Sequence, residues 1–137
     1  MTSEPVGPVV YVLFPGTARE AITRYAEIFG GSLELFTYEQ FGRSDGPADA
    51  VAHAQLNGPV RLMAADAGPD DDAVHCTGLM LSLLGAAPEQ TLRAWFAELA
   101  TGGRVIDDLQ LRTWGDYDGQ VVDAFGLRWL IGFQDRS

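Results

Sequence analysis

The feature that most constrains this chain is that it repeats itself. A short apolar run, an amphipathic helix closed by Gly-Gly and a strand-rich tail occur near the start, and the same order returns in the second half. Gly30-Gly31 ends the first helix and Gly102-Gly103 ends the second. An internal duplication decides architecture before any single residue does, because each copy must fold into the same supersecondary unit. Two such units in 137 residues predict two similar half-sheets that face one another across a cleft, within one domain of ordinary size.

Val9 to Phe14 is β-branched and aromatic, and Pro15-Gly16 stops it, which reads as a buried strand. Thr17 with Glu20 three residues on has the form of a capping box. Ala18, Ala21, Ile22, Tyr25, Ile28 and Phe29 share one face of the helix that follows. Leu33 to Phe41 reads as a strand, and Gly42 to Asp49 as a polar, glycine-rich loop with room to move. Ala50 to Leu56 and Val60 to Ala65 read as two strands joined by Asn57-Gly58, a signal for a type I′ hairpin turn. Asp66 to Ala73 is an acidic linker. In the second half Thr77 to Leu84 repeats the first strand, and Pro88-Glu89 opens a helix with Leu92, Trp95, Phe96 and Leu99 on its apolar face. Residues 104–109, 111–114, 120–122 and 127–133 supply the remaining strands. Each half reads strand, helix, strands. Module one spans about residues 6–66 and module two about 76–134 of a single α+β domain.

The net charge of −10 argues against a nucleic-acid partner, since binding phosphates requires a basic stripe. The cationic residues are all arginine and scattered. The acidity itself gives solubility and mutual repulsion. Cys76 is the only cysteine, so an internal disulfide is impossible and a reducing cytoplasm fits. Met1 to Gly7 lacks the basic and apolar regions of an export signal. No run reaches the roughly 18 apolar residues of a membrane span. The expectation is a cytoplasmic protein with no membrane partner.

Nucleophilic catalysis finds no G-x-S-x-G and no motif around Cys76. Asp116, Asp118 and Asp123 lie among Gly and Tyr and read as hairpin chemistry rather than paired acid and base. Asp70-Asp71-Asp72 lacks the spacing of a Ca²⁺ loop, and His75 lies in the linker, exposed. His53 sits mid-strand and Asp66 at the end of the next strand, so a shared face would let them meet. One histidine with one carboxylate is thin ligation for a metal; the plainer reading is a histidine hydrogen-bonded to a neighbour. The aromatics are more informative. Trp114, Tyr117, Phe125 and Trp129 cluster in the last quarter, with Tyr11, Phe14 and Tyr38 able to face them across the predicted cleft. A concave apolar pocket with a few polar groups is the usual small-molecule site. Trp95 and Trp129 fit core positions, whereas Trp114, beside a turn, fits core and ligand contact equally. The ligand-binding candidates are Tyr11, Tyr38, His53, Trp114 and Tyr117.

Several runs, in this order and spacing, carry a resemblance: Ala21 to Gly31 (AITRYAEIFGG), Val51 to Leu56 (VAHAQL), Leu62 to Asp66 (LMAAD), Leu99 to Gly103 (LATGG), Trp114-Gly115, and Asp123 to Trp129 (DAFGLRW). Together with the repeated βαβββ unit, the chain from about Val6 to Phe133 resembles the vicinal oxygen chelate superfamily. That superfamily contains glyoxalase I, extradiol dioxygenases and the fosfomycin and bleomycin resistance proteins. The runs look like its PhnB-like branch, labelled 3-demethylubiquinone 3-methyltransferase-like. The resemblance implies tandem βαβββ modules forming a curved mixed sheet around a cleft, pairing into a homodimer, and a divalent metal held from the first and last strands of each half. The residues depart from the metal pattern. Val9, Val10 and Tyr11 stand where the first-strand ligand is expected, Gly78 stands at the matching place in the second half, and Leu130 follows the Asp123-Ala124-Phe125-Gly126 turn where a Glu is expected. The usual metal site is therefore expected to be absent. The methyltransferase label gains nothing from the residues, because no Gly-rich loop follows the first strand. The expected function is binding of a small organic molecule in an aromatic-lined cleft with no cofactor. The alternative is a metal-dependent lyase, isomerase or dioxygenase-like enzyme with a non-standard site around His53 and Asp66.

Overall fold

The structure is a computed structural model and describes residues 7–135. Residues 1–6, on which the expected lack of an export signal and the start of module one rest, lie outside the described residues. The chain forms two compact units, one ending at Val74 and the other beginning at His75. The first contains β1 (Val10–Phe14), α1 (Ala18–Phe29), β2 (Ser32–Thr37), β3 (Val51–Asn57) and β4 (Leu62–Asp66). Its sheet runs β1-β4-β3-β2, with β1 parallel to β4 and the other pairs antiparallel. The second contains β5 (Leu81–Leu84), α2 (Glu89–Ala100), β6 (Arg104–Leu111), β7 (Asp116–Val122) and β8 (Arg128–Gln134). Its sheet runs β5-β8-β7-β6, and β5 is parallel to β8. Two four-stranded mixed sheets, each with one helix, are the tandem βαβββ arrangement of an α+β chain.

Side chains alternate across a strand, so each sheet has one face for its helix and one without it. Under α1 lie Val12, Phe14, Ala54, Leu56, Leu62 and Ala64, all buried. They meet Ala18, Ala21, Ile22, Tyr25, Ile28 and Phe29, the helix face read from the sequence. In the second unit Leu83, Val121, Trp129 and Ile131 are buried with Leu92, Trp95, Phe96 and Leu99 of α2. Phe14 and Trp129, grouped above with the cleft aromatics, are both core residues at 1% exposure. Strand parity puts each on its helix's side.

Local punctuation differs from the sequence reading where distant groups intervene. Thr17 precedes α1 but its side chain caps nothing. The Asp66 carboxylate does so instead. Its Oδ1 accepts the Ala18 N–H at 3.0 Å, and its Oδ2 accepts the Val51 N–H at 2.9 Å. A carboxylate suits this place because the first N–H groups of a helix lack partners and the dipole is positive there.

Asn57-Gly58 does not form the expected type I′ turn. No non-glycine residue among those described has positive φ, and Gly58 is not one of the glycines that do. The ladder closes at Leu56 opposite Leu62, too far apart for a two-residue loop. Pro59 fixes its own φ and cannot donate. Gly58 packs on the Gly30-Gly31 backbone so closely that a Cβ there would lie 2.7 Å from the Gly30 carbonyl oxygen.

The strand expected to reach Phe41 ends at Thr37. The register shifts between Phe36 and Thr37, and the Gln40 Oε1 accepts the Thr37 N–H at 2.7 Å, so the chain turns. The apolar run from Thr77 is strand only from Leu81. Residues 112–115 form a turn rather than a strand, closed by the Arg112 N–H to the Asp116 carbonyl at 2.7 Å. Asp116 and Asp118 therefore lie in β7 and not in a hairpin loop.

Candidate functional site

The helix-free face of the first sheet carries the site's clearest constellation. Tyr11 on β1 pairs with Met63 on β4, and Phe36 on β2 pairs with His53 on β3. β4 runs between β1 and β3, so Tyr11 can reach His53 only across β4. Continuing the ladder one step from Ala54↔Ala64 puts Ala65 beside His53, and that small side chain leaves room. The Tyr11 hydroxyl lies 2.9 Å from His53 Nδ1, with the ring centroids 5.5 Å apart and tilted by 37°. Beyond His53, Phe36 stacks on Phe41 at 5.5 Å. Tyr11, Phe36 and Phe41 are 45%, 38% and 53% exposed. An open strip of rings thus crosses the sheet, with one polar couple in it. Burial pushes the Tyr11 phenol above its ordinary range, opposed by the positive charge of Arg43. The phenol therefore stays protonated near neutral pH. With Nδ1 engaged, Nε2 is the ring nitrogen left for a ligand. Phe36 and Phe41 escaped the sequence reading, although the alternation of Glu34 and Phe36 along β2 places Phe36 on the face of its partner His53.

Tyr38, also a candidate, lies elsewhere. Past the register shift it is buried at 2% exposure. Its hydroxyl donates to the Asp66 carbonyl at 3.3 Å. The Arg43 guanidinium sits 3.8 Å above its ring, and Arg43 also binds Asp45 at 3.0 and 2.7 Å. That hydrogen bond and charge hold the Asp45 carboxyl below its ordinary range. The loop at 42–49 is fastened on Tyr38 by these contacts and by the Glu39 N–H to the Ala48 carbonyl at 3.1 Å. Tyr38 lines an open pocket of about 480 Å³ with Arg19, Glu20, Asp49 and Asp66.

His53 and Asp66 do not come together. The ladder pairs Ala54 with Ala64, so His53 shares a face with Ala65 and Asp66 belongs to the opposite one. Both Asp66 oxygens are already spent on the Ala18 and Val51 N–H groups. Where the superfamily's metal ligands are expected, Val10 begins β1, Gly78 precedes β5 and Leu130 lies in β8. Among the described residues no group of three or more His, Cys, Asp or Glu could hold an ion. Val10, Gly78 and Leu130 carry no side chain able to ligate an ion at those positions.

Trp114 and Tyr117 belong to the second unit, and the structure brings them to one cavity. It is open, about 670 Å³, and lined also by Glu89, Asp116, Asp118 and Phe133. Tyr117 stacks on Phe133 at 5.0 Å. Arg93 lies over both rings, at 5.1 and 5.0 Å, and pairs with Glu89 at 3.0 Å. Arg112 bridges Asp107 at 2.6 Å and Asp118 at 2.8 Å. Those two hydrogen bonds raise the Arg112 guanidinium's pKa further. Asp123, weighed above with Asp116 and Asp118, is buried and held by backbone and indole donors, so it is not in the cavity wall. His75 is exposed, as expected.

Among the described residues no helix is long and apolar enough to cross a membrane. No family model matches the chain. The crystal structure of protein PA1353 from Pseudomonas aeruginosa is similar at TM-score 0.77 and 31% identity, over 96% of this chain and 99% of that one. The PhnB protein from Bacillus cereus shares the fold at TM-score 0.73 and 21% identity, over 94% and 98%. Among curated proteins, YjdN of Escherichia coli K12 is 29% identical over 93% of each chain. Glyoxalase/bleomycin resistance/dioxygenase proteins have the same fold. The repeated βαβββ unit, the identity to PA1353 along nearly the whole chain and the fold held in common with PhnB and glyoxalase-family proteins agree: the chain belongs to the vicinal oxygen chelate superfamily, in its PhnB-like branch.

Proposed function

We propose that this PhnB-like chain is a cytoplasmic protein that binds a small organic molecule through side chains, without the superfamily's divalent metal. The observation that carries the reading is the exposed aromatic strip on the first sheet, with the Tyr11–His53 couple at 2.9 Å within it. Flat rings offer stacking area, and His53 Nε2 offers one directional hydrogen bond, a combination suited to a planar molecule with a polar edge. In the same proposal Tyr38 supports the loop beside the strip, while Trp114 and Tyr117 serve as walls of a second pocket. The lone cysteine supports a reducing compartment.

A panel of planar heteroaromatic compounds, followed by NMR chemical-shift perturbation, tests the strip. Tyr11→Phe and His53→Ala should each weaken a bound compound by about three- to tenfold, the worth of one net hydrogen bond. Phe36→Ala should weaken it comparably through lost stacking. Unchanged affinity in His53→Ala and Phe36→Ala would remove the strip from the proposal.

The reading includes a homodimer. Support comes from exposed apolar side chains on the second unit, Leu79 and Leu111 at 60% and 51%, which a subunit contact would cover. Sedimentation at micromolar concentration should give twice the 14.8 kDa chain mass. A monomer there would end this part of the proposal.

A further inference from the structure

The cavity of the second unit shows what kind of molecule it suits. Its aromatic wall already holds a cation. Arg93 places its guanidinium about 5 Å from the centroids of both Tyr117 and Phe133 and is steadied by Glu89 at 3.0 Å. A ring face and a carboxylate on one cation is a recurrent pairing, because the ring quadrupole and the full charge act together. Trp114 and Asp116 line the same cavity and offer the same two groups without a cation of their own. Trp114 is 66% exposed, held out on the turn that the Arg112 N–H closes on the Asp116 carbonyl. The other two carboxylates of the wall are spent, Glu89 on Arg93 and Asp118 on Arg112. Among the described residues Asp116 forms no ion pair and no side-chain hydrogen bond. With the chain at −10, an anion meets repulsion both locally and at long range.

We infer that this cavity binds a small organic cation, an amine carrying a flat apolar body, with its ring on Trp114 and its charge beside Asp116. The inference rests on the proposal that Trp114 and Tyr117 contact a small molecule, and it adds the ligand's charge and the carboxylate that selects it. The volume of about 670 Å³ lies within the usual range for small-molecule sites.

The test compares three probes of one shape: 2-phenylethylamine, 2-phenylethanol and phenylacetate. Binding to the intact chain is followed by NMR shifts of the Trp114 indole N–H, and by calorimetry at low and high salt. The amine should bind at least about fivefold more tightly than the alcohol, with phenylacetate weakest, and salt should narrow the gap. Asp116→Asn should abolish the preference for the amine while leaving the alcohol's affinity in place. Trp114→Ala should weaken amine and alcohol together. Both side chains lie at the surface of a turn and strand end, and far-UV circular dichroism confirms that each variant folds. Equal binding of amine and alcohol, unchanged by Asp116→Asn, overturns the inference and leaves the small-molecule proposal standing. Absence of any shift at Trp114 with all three probes overturns the inference together with the assignment of Trp114 and Tyr117 as walls of a ligand pocket, and leaves the strip on the first sheet to its own test.

Discussion

Asp123→Ala is expected to lower folding stability by about 3–5 kcal/mol, the largest effect of any single polar substitution in the chain. Asp123 is 5% exposed, and its carboxylate accepts hydrogen bonds from both backbone and side-chain donors. Oδ1 takes the Phe125 N–H at 2.8 Å and the Leu127 N–H at 3.1 Å, while Oδ2 takes the Trp129 Nε1–H at 2.8 Å. Trp129 is the largest fully buried side chain among the described residues, so its indole N–H lies away from bulk water and depends on the carboxylate. An unsatisfied buried donor costs about 1–3 kcal/mol, and alanine strands the buried Leu127 and Trp129 donors together, with no side chain to fill the space. Asp123→Asn separates the contributions. Its amide oxygen can keep both backbone donors, but its NH₂ then faces the Trp129 N–H, donor against donor, and the loss should be intermediate. Urea unfolding followed by tryptophan fluorescence measures both variants. A loss under about 1 kcal/mol for alanine would mean that water replaces the carboxylate.

Gly31→Ala should cost more than about 3 kcal/mol, by a different mechanism. Gly31 has φ +114°, a region that L side chains rarely adopt, and a Cβ there would be driven into the Asn57 carbonyl oxygen and lie 2.9 Å from Gly58 Cα. Both obstacles are backbone, so nothing can rotate aside. The repeat makes the argument twice. A Cβ on Gly103 would meet the Val122 carbonyl oxygen and lie 2.9 Å from Asp123 Cα, and Gly103→Ala should be similarly damaging without any positive-φ contribution. Gly42→Ala is the control. Its φ is +67° with nothing within 4 Å of the added Cβ, so only the left-handed penalty of about 1–2 kcal/mol applies. Thermal unfolding by circular dichroism ranks the three. A Gly31 variant no less stable than the Gly42 variant would show that the helix-to-strand crossing has slack.

The contrast between these residues explains what the sequence made legible. The duplication, both helix faces and the Gly-Gly stops depend on spacing within one element, and periodicity reports them directly. The Thr17 cap and the Asn57-Gly58 turn were local inferences overruled by groups far along the chain, Asp66 in one case and Gly30-Gly31 in the other. Site residues behaved likewise. Tyr11 and His53 each stood out as a chemical type, but their meeting requires β4 to lie between β1 and β3, which no window of sequence displays. His53 and Asp66 looked like neighbours on adjacent strands, and one step of register puts them on opposite faces. Tyr38 shares the aromatic character of Tyr11, yet the irregularity after Phe36 carries it into the buried side.

The clamp between Asp66 and Ala18 sets an order of events during synthesis. The carboxylate that satisfies the start of α1 lies 48 residues downstream of it. The helix ends at Phe29, so at a ribosomal pace of roughly 5–20 residues per second it is complete for about 2–7 s before its cap exists. A twelve-residue helix is marginal by itself in water, so through that interval α1 frays at its open end. The sheet of the first unit cannot be whole until β4 stands between β1 and β3, and the strand that completes it also brings the anion to the helix. Because β4 also carries the ground over which Tyr11 reaches His53, the ring strip comes into being at the same moment.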